Sequence, residues 1–325
     1  MIIKDKIYGS IEIEPVLEEL LNTKAVKRLK NVHQGGANYL VNPKCDVTRY
    51  EHSVGVMILI KIMGGSIEEQ IAGLLHDISH TAFSHVIDFA LECSNEDYHE
   101  KIFLEVIEKS DIPTVLKKYG FDYKDILLNE EKWTILERKA PDLCADRIDY
   151  TLRDMFADEK ISKEEINKFI NSLIIFDGEI VIDSLDTAIW FTELYYKEVI
   201  DYFMDPLNIY ASDRLSKAIK LAIDSGEIKL KDMMKTDDEI IQKLEKSNID
   251  EVRKLILSLH SGVKVIEDTK EWDIVIKNKI RLIDPKVYYK EKTFRASEKS
   301  YYIKNLNNKA YNRAKEGTYV KIIEN

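Results

Sequence analysis

The chain has 325 residues, 45% hydrophobic and 33% charged, with a net charge of −10, a composition that suits one large soluble domain or two ordinary ones. Disorder is excluded as the main state, because Ile, Leu, Val and Phe suffice to offset chain entropy. No apolar run reaches bilayer length, the start has no secretory apolar region, and Cys45, Cys93 and Cys144 are too few for a disulfide or zinc framework, so a cytoplasmic, reduced protein is expected.

In chain order, the first ten residues alternate like a short strand that Gly9 turns. Pro15 then opens a helix through about Val32, stopped by Gly35-Gly36. Residues 37–47 read as a loop. A helix from about Thr48 to Met63 stops at Gly64-Gly65, and another covers Ile67–His76. The polar string Asp77-Ile78-Ser79-His80-Thr81 interrupts it before a further helix near Ala82. Residues 97–109, 112–119 and Lys139 to Ala157 look helical. Between Leu173 and Ile182, Asp-Gly flanked by β-branched runs is a strong hairpin signal. Long helices resume from Ser184 to about Gly226, with shorter ones near 237–245 and 250–260. Short β-like runs (280–283 and 319–322) surround a polar middle in the tail. With six prolines and twelve glycines, the fold class is mainly α: a helical body over 1–262 and a small mixed α+β segment over 263–325.

Charge is uneven along the chain. From Val275 to the end there are 13 Lys+Arg against 5 Asp+Glu, and six of the 17 tyrosines. Such a basic, Tyr-rich tail could touch nucleic acid, but docking against the acidic body is the favoured reading. No membrane partner is expected.

Six of the seven histidines (His33, His52, His76, His80, His85 and His99) fall within 67 residues; His260 stands alone. Clustered imidazoles and carboxylates are the ligands of a divalent transition metal, and imidazole also shuttles protons near neutrality. His76-Asp77 ends an apolar helix, where a bend would let both side chains reach one ion. His52 is bordered by apolar residues on the helix before, so it is either buried at a cost or bound to something. Asp142, Asp146, Tyr150 and Asp154 recur every four residues; the ordinary reading of such a stripe is a solvated face, and a fourth ligand is the sharper one.

These residues carry a resemblance. Ile7-Tyr8-Gly9-Ser10-Ile11-Glu12, Arg28-Leu29-Lys30, Gln34-Gly35-Gly36, Thr48-Arg49-Tyr50-Glu51-His52-Ser53, the run from Ile71 to His85 and Ala145-Asp146-Arg147-Ile148-Asp149-Tyr150 together resemble the HD-domain metal-dependent phosphohydrolases. Within them the chain is most similar to the deoxynucleotide triphosphohydrolase branch, well from residue 1 to about 155 and diffusely to about 260. The resemblance implies an HD helical core and a metal held by His52, His76, Asp77 and Asp146. It implies that His80, His85, Asp88 and His99 handle protons, and that Gln34, Arg49, Arg147, Tyr150, Asp154 and Lys197 contact substrate. Tyr150 would crowd a ribose 2′ position, favouring deoxyribose. The implied cofactor is one divalent transition metal (Mn, Fe, Co, Ni or Zn), with Mg²⁺ accompanying a bound nucleotide, and a homo-oligomer is implied too. The expected reaction is hydrolysis of a (deoxy)nucleoside triphosphate to nucleoside and triphosphate. The alternatives are phosphomonoester or phosphodiester hydrolysis of another small nucleotide, and an effector protein that uses the site as a sensor. One departure stands out. The segment from Asp201 to Pro206 lacks the basic cluster expected after the hairpin, and the aromatic wall is either Tyr202 or absent.

Overall fold

A computed structural model of the chain describes residues 1–93, 95–277 and 279–323. Strands β1 (Ile2–Asp5) and β2 (Gly9–Glu12) form the opening hairpin, with Gly9 at φ 84° in its turn. Helices α1 (Pro15–Leu21) and α2 (Lys24–Arg28) follow, then α3 (Arg49–Ile62), α4 (Ile67–Leu75), α5 (Val86–Ala90), α6 (Tyr98–Glu108), α7 (Ile112–Lys118), α8 (Tyr123–Leu127), α9 (Ala145–Ala157) and α10 (Lys163–Asn171). The hairpin β3 (Leu173–Phe176) and β4 (Glu179–Ile182) precedes α11 (Leu185–Tyr196), a π-helical turn (Lys197–Tyr202), α12 (Pro206–Asp224), α13 (Asp237–Glu245) and α14 (Asp250–Leu257). The tail holds β5 (Val265–Glu267), β6 (Ile274–Ile276), β7 (Lys286–Tyr289), β8 (Lys292–Arg295), α15 (Ala296–Lys299), α16 (Tyr301–Glu316) and β9 (Thr318–Ile322). No helix among the described residues is long and apolar enough to cross a membrane.

The expected mainly helical class holds, with local corrections. The helix expected over 15–32 breaks at Thr23, whose hydroxyl accepts from the Val26 N–H and so starts α2 instead. The helix expected from Lys139 starts six residues later, at Ala145. Pro141 has no N–H to give to a helix and pushes Ala140 towards extended backbone. Asp142 therefore leaves the proposed stripe and pairs with Arg295 at 2.5 Å. The polar middle of the tail is the helix α16, and residues 280–283 form no strand.

Two apolar cores form. One is built on α1–α4 and α7–α11, the other on α5 and α12–α14. The tail feeds both, with Ile283, Val287 and Ile303 in the first core and Ile274 and Val320 in the second. It also joins the body by sheet. Strand β7 pairs in parallel with β4 (Ile182 opposite Val287) in a sheet ordered β3-β4-β7-β8, whereas β5-β9-β6 is a separate antiparallel sheet. Tail cations pair with body carboxylates, Arg281 with Glu96, Lys286 with Glu179 and Arg295 with Asp142.

Candidate metal centre and catalytic pocket

The helix α3 starts with a reciprocal cap between Thr48 and Glu51, which fixes Arg49 and His52 within its first turn. The helix α4 ends at Leu75, so His76 and Asp77 sit where the chain bends. The loop that follows is held from outside. The Arg28 guanidinium donates to the carbonyls of Ile78 (3.0 Å) and His80 (2.6 Å), and the buried Asp237 at the start of α13 accepts from the Phe83 N–H (2.6 Å) and from His33 (2.8 Å). Phe83 and Ser84 both adopt left-handed backbone (φ 58° and 52°), a strained pair beside the site. Gly36 (φ 62°) lies so close that a Cβ there would stand 2.9 Å from the Phe83 carbonyl.

His52, His76, Asp77 and Asp146 converge. Nε2 of His52 is 3.0 Å from Oδ1 of Asp146 and 3.6 Å from Asp77, and Nε2 of His76 is 3.5 Å from each of these carboxylates. Each imidazole is oriented from behind: His52 Nδ1 donates to Asp149 (2.8 Å) and His76 Nδ1 to the Gly73 carbonyl (2.7 Å). Both Nε2 atoms thus turn to one point, and that of His76 is buried with no hydrogen-bond partner among the described residues. An N₂O₂ donor set with outer partners on its imidazoles fits a divalent transition metal. Burial alone would raise the Asp77 carboxyl, but Arg49 (2.6 Å) with His76 and His80 holds it well below the usual range. Asp149 in turn forms a two-pronged pair with the buried Arg153 (3.0 and 2.9 Å), which also reaches Asp5 of β1 at 3.0 Å.

Beside this set, His80, His85 and His99 form a second cluster. His80 and His99 stack at 4.0 Å, and His85 stands edge-on to both. Asp88, buried at the start of α5, accepts from His85 Nδ1 (3.1 Å) and from the Tyr98 N–H (2.9 Å). Burial, reinforced by Arg49, pushes His80 well below its ordinary range. Burial, reinforced by His85, pushes His99 down to about 4. Both rings are therefore uncharged near neutrality.

One cavity of about 850 Å³ lies where the two cores meet and opens onto both histidine clusters. Gln34, Arg49, Arg147, Tyr150 and Asp154 all line it. Arg147 is already engaged, its Nη1 donating to the Asp142 carbonyl at 2.6 Å and Nη2 to the Arg138 carbonyl at 3.3 Å. Two expectations are corrected. Lys197 is exposed and outside the cavity wall, while its neighbour Glu198 is buried. The aromatic wall is made by Tyr150, Tyr195 and Phe203, not Tyr202, with the Arg281 guanidinium 5.5 Å over the Phe203 ring. The cavity is lined by cations from outside the segment 201–206, namely Arg138, Lys139, Lys279 and Arg281. Sequence reasoning gave no role to Arg28 and Asp149, although both stand in the quoted motifs, and it missed Asp237. Asp149, three residues beyond Asp146 on the same helix, was the most findable of these.

Residues 49–154 match the family model described as HD domain. The chain is 48% identical to the uncharacterized protein YdhJ of Bacillus subtilis over the whole of both chains. It is 34% identical to the metal-dependent phosphohydrolase cns2 of Cordyceps militaris, over 89% of this chain and 85% of that one. Against the deoxynucleoside triphosphate triphosphohydrolase SAMHD1 of Bos taurus it is 31% identical over 41% of its own length and 27% of the relative's. With 34% identity to a metal-dependent phosphohydrolase over most of both chains and the assembled histidine and aspartate set, the chain belongs to the HD-domain metal-dependent phosphohydrolases.

Proposed function

We propose that this phosphohydrolase acts on nucleotides, cleaving a (deoxy)nucleoside triphosphate to nucleoside and triphosphate. The observation that carries the reading is the cavity of about 850 Å³. It joins the four-residue donor set, the three-imidazole cluster, an aromatic wall and a cationic rim. His52, His76, Asp77 and Asp146 would hold a transition metal (Mn, Fe, Co, Ni or Zn), with Mg²⁺ accompanying the nucleotide. When bound, the transition metal supplies a water acidic enough to attack phosphorus near neutral pH. His85, held by Asp88 and packed edge-on against the uncharged His80 and His99, would give a proton to the leaving oxygen. Arg49, anchored on Asp77 and Ser84, presents its remaining N–H edge to phosphoryl oxygens. Lys139, Lys279 and Arg281 suit the outer phosphates, and Tyr150 and Asp154 the sugar.

The similarity to cns2, a metal-dependent phosphohydrolase, over 85% of its length supports phosphate hydrolysis without specifying a triphosphate, so a second reading is hydrolysis of a phosphomonoester or phosphodiester of another small nucleotide. A nucleotide panel with Mn²⁺, Co²⁺, Ni²⁺ or Mg²⁺, its products read by mass, separates the two. Triphosphate release supports the first reading; orthophosphate release from a nucleoside monophosphate, or a monophosphate formed from a cyclic or dinucleotide diester, supports the second. Tyr150 packs on Tyr195 and Phe203 at the wall, so crowding there should be relieved by a smaller side chain. Deoxynucleotides are expected to turn over faster than ribonucleotides, with a narrower gap in Tyr150→Ala. An unchanged ratio in a folded variant removes Tyr150 from sugar selection.

A further inference from the structure

Glu198 is fully buried, and neither of its carboxyl oxygens meets an N–H or O–H donor among the described residues. A buried carboxylate without a donor is costly. Its one hydrogen-bonding neighbour is another carboxyl, that of Asp154 on α9, and Asp154 lines the cavity. Glu198 reaches it from the π-helical turn that follows α11, a rare backbone element that recurs at functional sites. The titratable and charged groups that bear on the pair are Cys45, Asp158 and Tyr202 around Glu198, and His52, Asp149 and Arg153 behind Asp154. None of them gives Glu198 a cation to pair with. Two facing carboxyls in such a place hold a proton between them, because both cannot ionise together.

We propose that Glu198 is a positioning residue: it keeps the proton of an acid–carboxylate pair and donates it to Asp154, which is thereby fixed with its free oxygen towards a hydroxyl group of the substrate. The donor assignment follows from burial. Glu198 is wholly enclosed, and burial followed by Asp154 pushes its carboxyl well above the usual range. Asp154, by contrast, lines the cavity and has access to water there, so it is the partner that ionises first. The proposal rests on the nucleotide reading above, since a 5′-phosphorylated deoxyribose offers one free hydroxyl, the 3′. It names what that hydroxyl would meet and what holds the acceptor still.

The first test compares kcat/KM for a 2′-deoxynucleoside triphosphate and its 2′,3′-dideoxy counterpart in the wild type, Glu198→Gln and Glu198→Ala. Loss of a hydrogen bond to a charged acceptor should lower the ratio by about tenfold in Glu198→Ala. Glu198→Gln should keep the ratio, because its amide N–H still donates to Asp154. A wild-type ratio in Glu198→Ala, or an equal loss in both variants, would overturn the assignment. If no nucleotide is turned over, the nucleotide reading fails and the pair is tested without a substrate, by urea unfolding between pH 6.5 and 8. The folded wild type retains a proton that the unfolded chain has released, so its stability should fall as pH rises. Relative to Glu198→Gln, its unfolding constant should grow about tenfold per pH unit, the value for one proton. A difference independent of pH, or a Glu198→Gln chain that fails to fold, contradicts a protonated Glu198.

Discussion

His52 and His76 each spend one ring nitrogen inside the protein and leave the other facing the same point, and this division of labour makes them separable by mutation. The His76 Nδ1 bond goes to a backbone carbonyl that a helix end can leave to water, whereas the Asp149 carboxylate behind His52 is shared with the buried Arg153. His76→Ala should therefore empty the metal centre, read by elemental analysis, with little change in thermal stability. Asp149→Ala should do more. Arg153, 4% exposed, would keep only Asp5 as an ionic partner. Stranding a buried charge costs about 3–5 kcal/mol, and removing an outer partner of a ligating histidine lowers metal affinity by about 10–100-fold. A normal melting temperature in Asp149→Ala would show that Asp5 alone satisfies Arg153. His85 lies in the other cluster, so His85→Ala should keep its metal while turnover falls by about 10²-fold. Loss of metal there would move His85 into the donor set.

At the scale of elements, the site depends on how closely α3 and α9 approach. Gly55, one turn beyond His52, faces the Asp149–Arg153 pair, and a Cβ there would stand 2.0 Å from both Asp149 Oδ1 and Arg153 Nη2. Replacing a helical glycine by alanine ordinarily stabilises by about 0.5–1 kcal/mol. At Gly55 the overlap should outweigh that gain, because overpacking costs about 1–3 kcal/mol, so Gly55→Ala should lower both the unfolding midpoint and the metal content. A more stable Gly55→Ala would mean that the helices can part without cost. The same contacts explain what was legible in the sequence. Local rules placed α3, α4, the β3–β4 hairpin, α13 and α14 correctly, because caps, Gly stops and Asp-Gly turns act within a few residues. The histidines and Asp146 were legible through their motif. The start of α9 was misplaced by reading through Pro141. The Lys197 and Tyr202 expectations failed where the chain leaves regular α-helix, since both residues lie in the π-helical turn Lys197–Tyr202, which α-helical spacing does not describe. Arg28 and Asp237 lie 52 and 154 residues from the groups they hold, beyond the reach of any local pattern.

For the whole molecule, the question is whether the basic tail is an appendage or part of the enzyme. Strand β7 extends the β3–β4 hairpin, Val287 and Ile303 are buried in the first core, and Val320 is buried in the second. Lys279 and Arg281 reach the cavity itself, with Arg281 bridging to Glu96 near the start of α6 at 2.8 Å. A chain cut after residue 262 would expose these core surfaces and leave β4 with an open edge. Burying one large aliphatic side chain contributes about 1.5–3 kcal/mol, so losing Ile283, Val287, Ile303 and Val320 together would consume most of the ~5–15 kcal/mol typical of a folded protein. The truncated chain should therefore lack a cooperative transition in urea, while the full-length chain should unfold in one step with coincident circular dichroism and tryptophan fluorescence midpoints. A truncated chain that unfolds cooperatively would make the tail a separable module. In that event, charge reversal at Arg281 in the full-length chain still reports on the cavity: it should raise KM for a nucleoside triphosphate more than for a monophosphate, because only the longer ligand carries outer phosphates to the rim.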